Sequence, residues 1–173
     1  GPLPVVSRQR LYGRDAELAR LTAMVGSVAG DMDGRIGFVR GEAGVGRTSI
    51  LRSTLPSLVD ADFESVHWCK GHRALREQLT ALVAEAVNQE HPPRRLVVGH
   101  ALVGEAPMLA PGTAQPLGSI LFAATARPTA ITVLLDVSDA DMRELGGVRY
   151  GVRGPFLGVL SEESHRCMRV DRL

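Results

Sequence analysis

The chain has 173 residues, 45% of them hydrophobic and 23% charged, with 20 basic side chains against 19 acidic ones. That is enough for one sizeable core and too little for two comfortable domains, and a formal charge of +1 leaves no electrostatic footprint for nucleic acid or an anionic membrane. Two cysteines, Cys69 and Cys167, cannot build a disulfide framework and suit a reducing, cytoplasmic compartment. No apolar run approaches the roughly 18 residues of a membrane span, and nothing at the amino terminus has the charged-then-apolar form of a secretory leader. Lys70 is the sole lysine among the basic residues, a skew that fits a GC-rich coding bias.

In chain order, Gly1-Pro2 has the form of a protease scar, and residues 1–10 read as an extension before a single domain over 11–173. Leu18, Leu21, Val25 and Val28 recur at helical spacing, which predicts a helix from about Asp15 to Val28. Gly30 to Gly34 breaks it, and Ile36-Gly37-Phe38-Val39 is a short run of the kind buried strands use. A glycine-rich turn leads into a second helix from Arg47 that ends before Pro56. Phe63 to Cys69 reads as a strand. His72 to Glu90 reads as a helix with Leu75, Leu79, Leu82, Val83 and Ala86 on one face, closed by Pro92-Pro93.

Leu96-Val97-Val98, Ile120 to Ala124, Ile131 to Val137 and Phe156 to Leu160 follow as strand candidates, with Ser161-Glu162-Glu163 opening a final helix. Val103 to Ser119, rich in Gly and Pro, reads either as a loop or as a degraded helix. Strands alternating with helical stretches predict an α/β domain with a mainly parallel sheet.

Chemistry concentrates in Gly41-Glu42-Ala43-Gly44-Val45-Gly46-Arg47-Thr48-Ser49. The segment fits G-x-x-x-x-G-K-[ST] except that Arg47 stands where lysine is usual, and it has the required strand before it and helix after it. Glycines let successive N–H groups curl into a nest for phosphate oxygens, and a helix N-terminus adds partial positive charge. Thr48 would offer its hydroxyl to Mg²⁺, and residue 47 would reach the β- and γ-phosphates. Arginine keeps the charge, but its planar fork is bulkier than an ammonium, so the exchange is not conservative at a tight site.

Upstream, Leu11-Tyr12-Gly13-Arg14-Asp15-Ala16-Glu17-Leu18-Ala19-Arg20-Leu21 resembles the hydrophobic-Gly-Arg-Glu-x-Glu-Leu-x-x-Leu box of the AAA/STAND-type NTPases, among them the ATPase modules of large LuxR-type and antibiotic-regulatory bacterial transcription regulators. Gly13 precedes Gly41 by 28 residues, a separation that fits the family. The resemblance implies a three-layer P-loop NTPase-like fold, with Tyr12 and Arg14 near the adenine and Gly41, Gly44, Gly46, Arg47, Thr48 and Ser49 around phosphate. Ser119 to Pro128 is similar to the family's sensor strand, which would set Thr125 and Arg127 near the γ-phosphate. Phe156 to Glu163 is similar to its closing strand and helix start, with Ser161 as N-cap.

The departures bear on turnover. The family's third strand ends in paired acids, whereas Leu96-Val97-Val98 runs into Gly99-His100, and imidazole is a poor ligand for Mg²⁺. Asp136, after Ile131 to Leu135, has the apolar-then-acid form but follows the sensor-like segment, so strand order counts against it; it and Arg127 are the weak catalytic candidates. Glu105 is too far from any strand end to assign. The chain stops where the helical lid would begin, so the lid is absent or truncated. His67, Cys69 and His72 invite a metal reading, but no fourth ligand is near, and they read better as half-buried residues at a strand end.

The reading is a regulatory switch domain that binds ATP or ADP with Mg²⁺ and hydrolyses weakly at most. It would serve the other domains of a larger bacterial regulator, or a protein partner, and is compatible with a homo-oligomer. A pseudo-NTPase interaction module is the alternative, decided by whether Arg47 pairs with Glu42 or Asp136 and closes the site. An active Mg²⁺-dependent ATPase using Asp136 is the third.

Overall fold

The computed structural model describes residues 15–25, 32–56, 63–104, 117–126, 128–145 and 167–171. Their order is α1 (Asp15–Val25), β1 (Arg35–Gly41), α2 (Arg47–Thr54), β2 (Ser65–Lys70), α3 (His72–Ala86), β3 (Arg95–His100), α4 (Leu117–Ala124), β4 (Ile131–Ser138), α5 (Asp139–Leu145) and β5 (Cys167–Val170). The strands form one sheet in the order β2-β3-β4-β1-β5, with every pairing parallel. Helical crossovers between parallel strands put helices on both faces, which gives a three-layer α/β fold of the P-loop NTPase type.

Strand alternation divides the core in two. Ile36, Phe38, Val97, Val133 and Leu135 face Leu75 and Leu79 of α3, Ile120 and Leu121 of α4, and Met142 of α5. Val39, Leu96, Val98, Leu134, Met168 and Val170 face the other way, onto Leu21 and Val25 of α1 and Ile50 and Leu51 of α2. The period of two in each strand therefore decides which side chains meet the helix that follows the glycine-rich loop.

The expected elements up to β3 are found, with α1 described over Asp15–Val25 and α3 ending at Ala86. Two expectations are corrected. Ile120 to Ala124 is helical, not a strand: Leu117, Ile120, Leu121 and Ala124 are buried at helical spacing while Phe122 between them is 57% exposed. A run this short and uniformly apolar fits either period by composition alone. Leu121→Ala should therefore lower unfolding stability by about 3 kcal/mol and Phe122→Ser by less than about 1 kcal/mol, measured by urea denaturation. A strand, placing Phe122 on the face of Ile120 and Ala124, would make position 122 the sensitive one.

The second correction is β5, which lies after the residues expected to open a final helix and pairs Phe38 to Gly41 of β1 with Cys167 to Val170. Residues 156–163, which carry the closing-strand expectation and Ser161, lie outside the described residues, as do Val28, Tyr12, Arg14, Glu105 and Arg127.

A clasp of charges ties the carboxyl end of the sheet together. Asp139, opening α5, accepts from Arg40 Nε of β1 at 3.1 Å and from Nη1 and Nη2 of Arg169 in β5 at 3.0 and 2.8 Å. The Arg169 hydrogen bond, aided by Arg40 and opposed by burial, holds the Asp139 carboxyl below the usual carboxylate range. A carboxyl depressed by folding contributes stability above its unfolded-state pKa and loses it as pH falls through the folded value. Asp139→Asn should thus flatten the acid limb of the urea midpoint below about pH 4, the ordinary carboxylate value.

Candidate functional site

The loop after β1 has the conformation its glycines permit. Gly44 and Gly46 take left-handed φ angles of 82° and 101°, and a Cβ at either would meet nothing within 4 Å. Gly41 is required for a different reason: a Cβ there would lie 2.3 Å from the Val170 carbonyl oxygen of β5. Val45, only 8% exposed, anchors the loop in the core shared with α1 and α2, while Glu42, Ala43 and Gly44 stay exposed. Arg47 begins α2, and Ile50 N–H donates to the Gly46 oxygen at 3.0 Å, so the first helical turn opens straight from the loop. An open cradle at a helix N-terminus is suited to phosphate oxygens.

Asp136 meets this loop from β4. The strand pairs directly with β1, Asp136 standing level with Val39, and its parity directs it to the face that α2 covers. Thr48 Oγ1 donates to Asp136 Oδ2 at 2.7 Å, and Arg47 Nε donates to Oδ1 at 2.7 Å. Arg47 Nη1 donates in addition to the Gly41 oxygen at 3.2 Å and the Glu42 oxygen at 2.7 Å. The side chains are 14% exposed for Arg47 and 3% for Asp136, so this is a largely desolvated ion pair. Because the preceding sensor-like segment is α4, Asp136 stands on the fourth strand and not a fifth, while the third strand, β3, ends in Gly99-His100.

The third strand confirms the other departure and gives it a cause. Gly99 faces α3, where a Cβ would lie 2.8 Å from Leu75 Cδ2 and 3.2 Å from Leu135 Cδ2, so a carboxylate at this position would enter an apolar core. His100 stands opposite Asp136 and edge-on to Trp68 at 6.2 Å. Burial pushes the His100 imidazole down, with Asp136 pulling it back up and Arg52 and Lys70 adding to the fall. Trp68 in turn carries the Arg52 guanidinium of α2 at 4.6 Å over its ring.

Of the other expected site residues, Ser49 is exposed on α2. Thr125 is not brought to the loop. It follows α4 in a turn, its Oγ1 donating to the Phe122 oxygen, and its Cα would lie 2.7 Å from a Cβ on Gly34, which precedes β1 at the amino end of the sheet. The sensor role assigned to Thr125 therefore has no support in its position, because the segment is a helix that runs to the end of the sheet away from the phosphate loop. A cavity of about 430 Å³ lined by Arg20, Met24, Arg35 and Thr132 also lies at that amino end, away from the loop.

His67 bonds Ser65 Oγ through Nε2 at 3.0 Å and Cys69 is buried, burial pushing the imidazole down and the thiol up. Among the described residues no group of three or more His, Cys, Asp and Glu is placed to hold a metal ion.

A glycine cradle at the carboxyl end of β1, in an all-parallel sheet with helices on both faces, defines a nucleotide-binding module of the P-loop NTPase type. Residues 10–141 match the family model of the AAA ATPase domain, and the chain belongs to that family. No curated protein matches it. Membership implies a nucleotide and Mg²⁺ as ligands, and the residues fit them: the cradle is open, and Thr48 Oγ1 and the Asp136 carboxylate are the oxygen donors a hard cation takes. Among the described residues no helix is long and apolar enough to cross a membrane.

Proposed function

We propose that this domain is a nucleotide-responsive regulatory module that binds ATP or ADP with Mg²⁺ and turns it over weakly at most. One observation carries the proposal: the phosphate cradle is intact, while the acid that meets it among the described residues is Asp136, whose two oxygens are already engaged by Arg47 and Thr48. The backbone N–H groups of the loop and the start of α2 would hold phosphate, and Arg47 would supply its countercharge. Thr48 and Asp136 would hold Mg²⁺, which supplies electrostatic stabilisation of phosphate charge when bound. With Gly99 buried against α3 and the carboxylate of Asp136 paired to Arg47, β3 supplies no acid to orient an attacking water.

The box at Leu11 to Leu21 supports a bacterial signalling or transcription regulator as setting. Its partners would then be other domains of that regulator, a protein partner or further copies of the chain.

The test is phosphate release from Mg²⁺-ATP. Turnover at the level of a blank, unchanged in Asp136→Asn, is expected; robust Mg²⁺-dependent turnover that Asp136→Asn abolishes would instead establish an active ATPase. A second reading, an interaction module with its nucleotide site shut, is favoured by the pairing of Arg47 with Asp136 and the Glu42 carbonyl.

A further inference from the structure

We infer that Arg47 and Asp136 form an autoinhibitory latch across the phosphate loop, one that only a nucleotide and a divalent cation together release. The inference rests on the nucleotide-binding reading above and adds its regulation. Arg47 is the loop's one cationic side chain, and its fork is turned inward: Nε is held by Asp136, and Nη1 by the carbonyls of Gly41 and Glu42 at the loop's own start. A lysine ammonium at this position has no planar fork with which to span a carboxylate on β4 and two loop carbonyls. The exchange of lysine for arginine thus converts a phosphate ligand into a clamp.

Asp136 makes the clamp selective. Its carboxylate is 3% exposed, and among the described residues it accepts from Arg47 and the Thr48 hydroxyl. If Arg47 turns to phosphate oxygens, a buried carboxylate is left with a neutral donor alone, a strongly unfavourable state. A cation held by the Asp136 carboxylate would remove that penalty, but it would compete with Arg47 for the carboxylate's charge, so it in turn requires somewhere for Arg47 to go. Phosphate provides that place. Each ligand therefore lowers the barrier to the other, a positive coupling between the two sites that is necessarily reciprocal. Polyphosphate alone, or cation alone, meets Arg47 and Asp136 still paired.

The test uses ADP as probe, titrated by calorimetry into the whole chain in EDTA and again in excess Mg²⁺. The wild-type chain should bind at least about 30-fold more weakly in EDTA. In Asp136→Asn the neutral amide no longer holds Arg47 by charge and is a poor ligand for the cation. Metal-free binding should therefore tighten by about tenfold and the Mg²⁺ effect shrink below about threefold. Arg47→Lys, which keeps the charge and loses the fork, should fall between the two and guards against misfolding of the first variant. Equal wild-type affinity in EDTA and Mg²⁺ would overturn the latch while leaving nucleotide binding intact, since Nη2 would then reach phosphate with the clamp shut. Metal-free binding in Asp136→Asn as weak as in wild type would also overturn it. Absence of binding in all three proteins under both conditions would overturn the latch and the nucleotide reading together.

Discussion

Replacing Arg47 with alanine is expected to destabilise the fold by about 3 kcal/mol, a fall in melting temperature of roughly 10 °C for a domain of this size. The effect is large because the variant strands a carboxylate that is 3% exposed and leaves it, among the described residues, with the neutral Thr48 hydroxyl as donor. Asp136→Asn should be the milder change, because Arg47 is 14% exposed and keeps two backbone acceptors. The double variant Arg47→Ala/Asp136→Asn should recover at least about 1 kcal/mol relative to Arg47→Ala, since no charge is then left buried. Urea denaturation of the four proteins closes the cycle. Additive losses would show that the pair is not coupled in the folded state.

The glycines of the loop should separate into two kinds. Gly41→Ala puts a Cβ 2.3 Å from the Val170 carbonyl oxygen, a backbone atom held in the β1–β5 pairing, so strands must shift. A loss of about 2–4 kcal/mol is expected, seen as a lower urea midpoint. Gly44→Ala and Gly46→Ala meet open space and suffer only the strain of a left-handed φ, about 1 kcal/mol each. Their larger effect should fall on ligand affinity, because the added methyl groups line the cradle. Equal stability losses at all three positions would contradict the assignment of Gly41 to strand packing and of the other two to the phosphate surface.

How far the sequence carries this account depends on how local each signal is. The phosphate loop was legible because glycine, hydroxyl, strand and helix signals fall within a dozen or so neighbouring residues, and each has its own steric reason. The sheet was legible from β1 to β4 for the same reason. Leu117 to Ala124 was not: an apolar stretch of one to two helical turns satisfies both periods, and only its contact with α3 settles which face is buried. β5 has four residues and draws its definition from Gly41 and its neighbours, far away in the chain.

Asp136 shows the limit most clearly. Its apolar-then-acid form was visible, yet its bond to Thr48 spans 88 positions and depends on β4 lying beside β1. Sequence order alone does not show this neighbour relation, since β4 follows β1 by two further strands. Gly99 adds the converse lesson, since a missing carboxylate read as a lost function is also a packing requirement of Leu75 and Leu135.

The most direct measurement is a calorimetric titration of the purified chain with ATP and with ADP, each in excess Mg²⁺, with Arg47→Ala alongside. Saturable binding with a dissociation constant on the order of micromolar, weakened at least tenfold in the variant, is the expected result. No heat of binding up to millimolar nucleotide would contradict the proposal that this phosphate loop is in use.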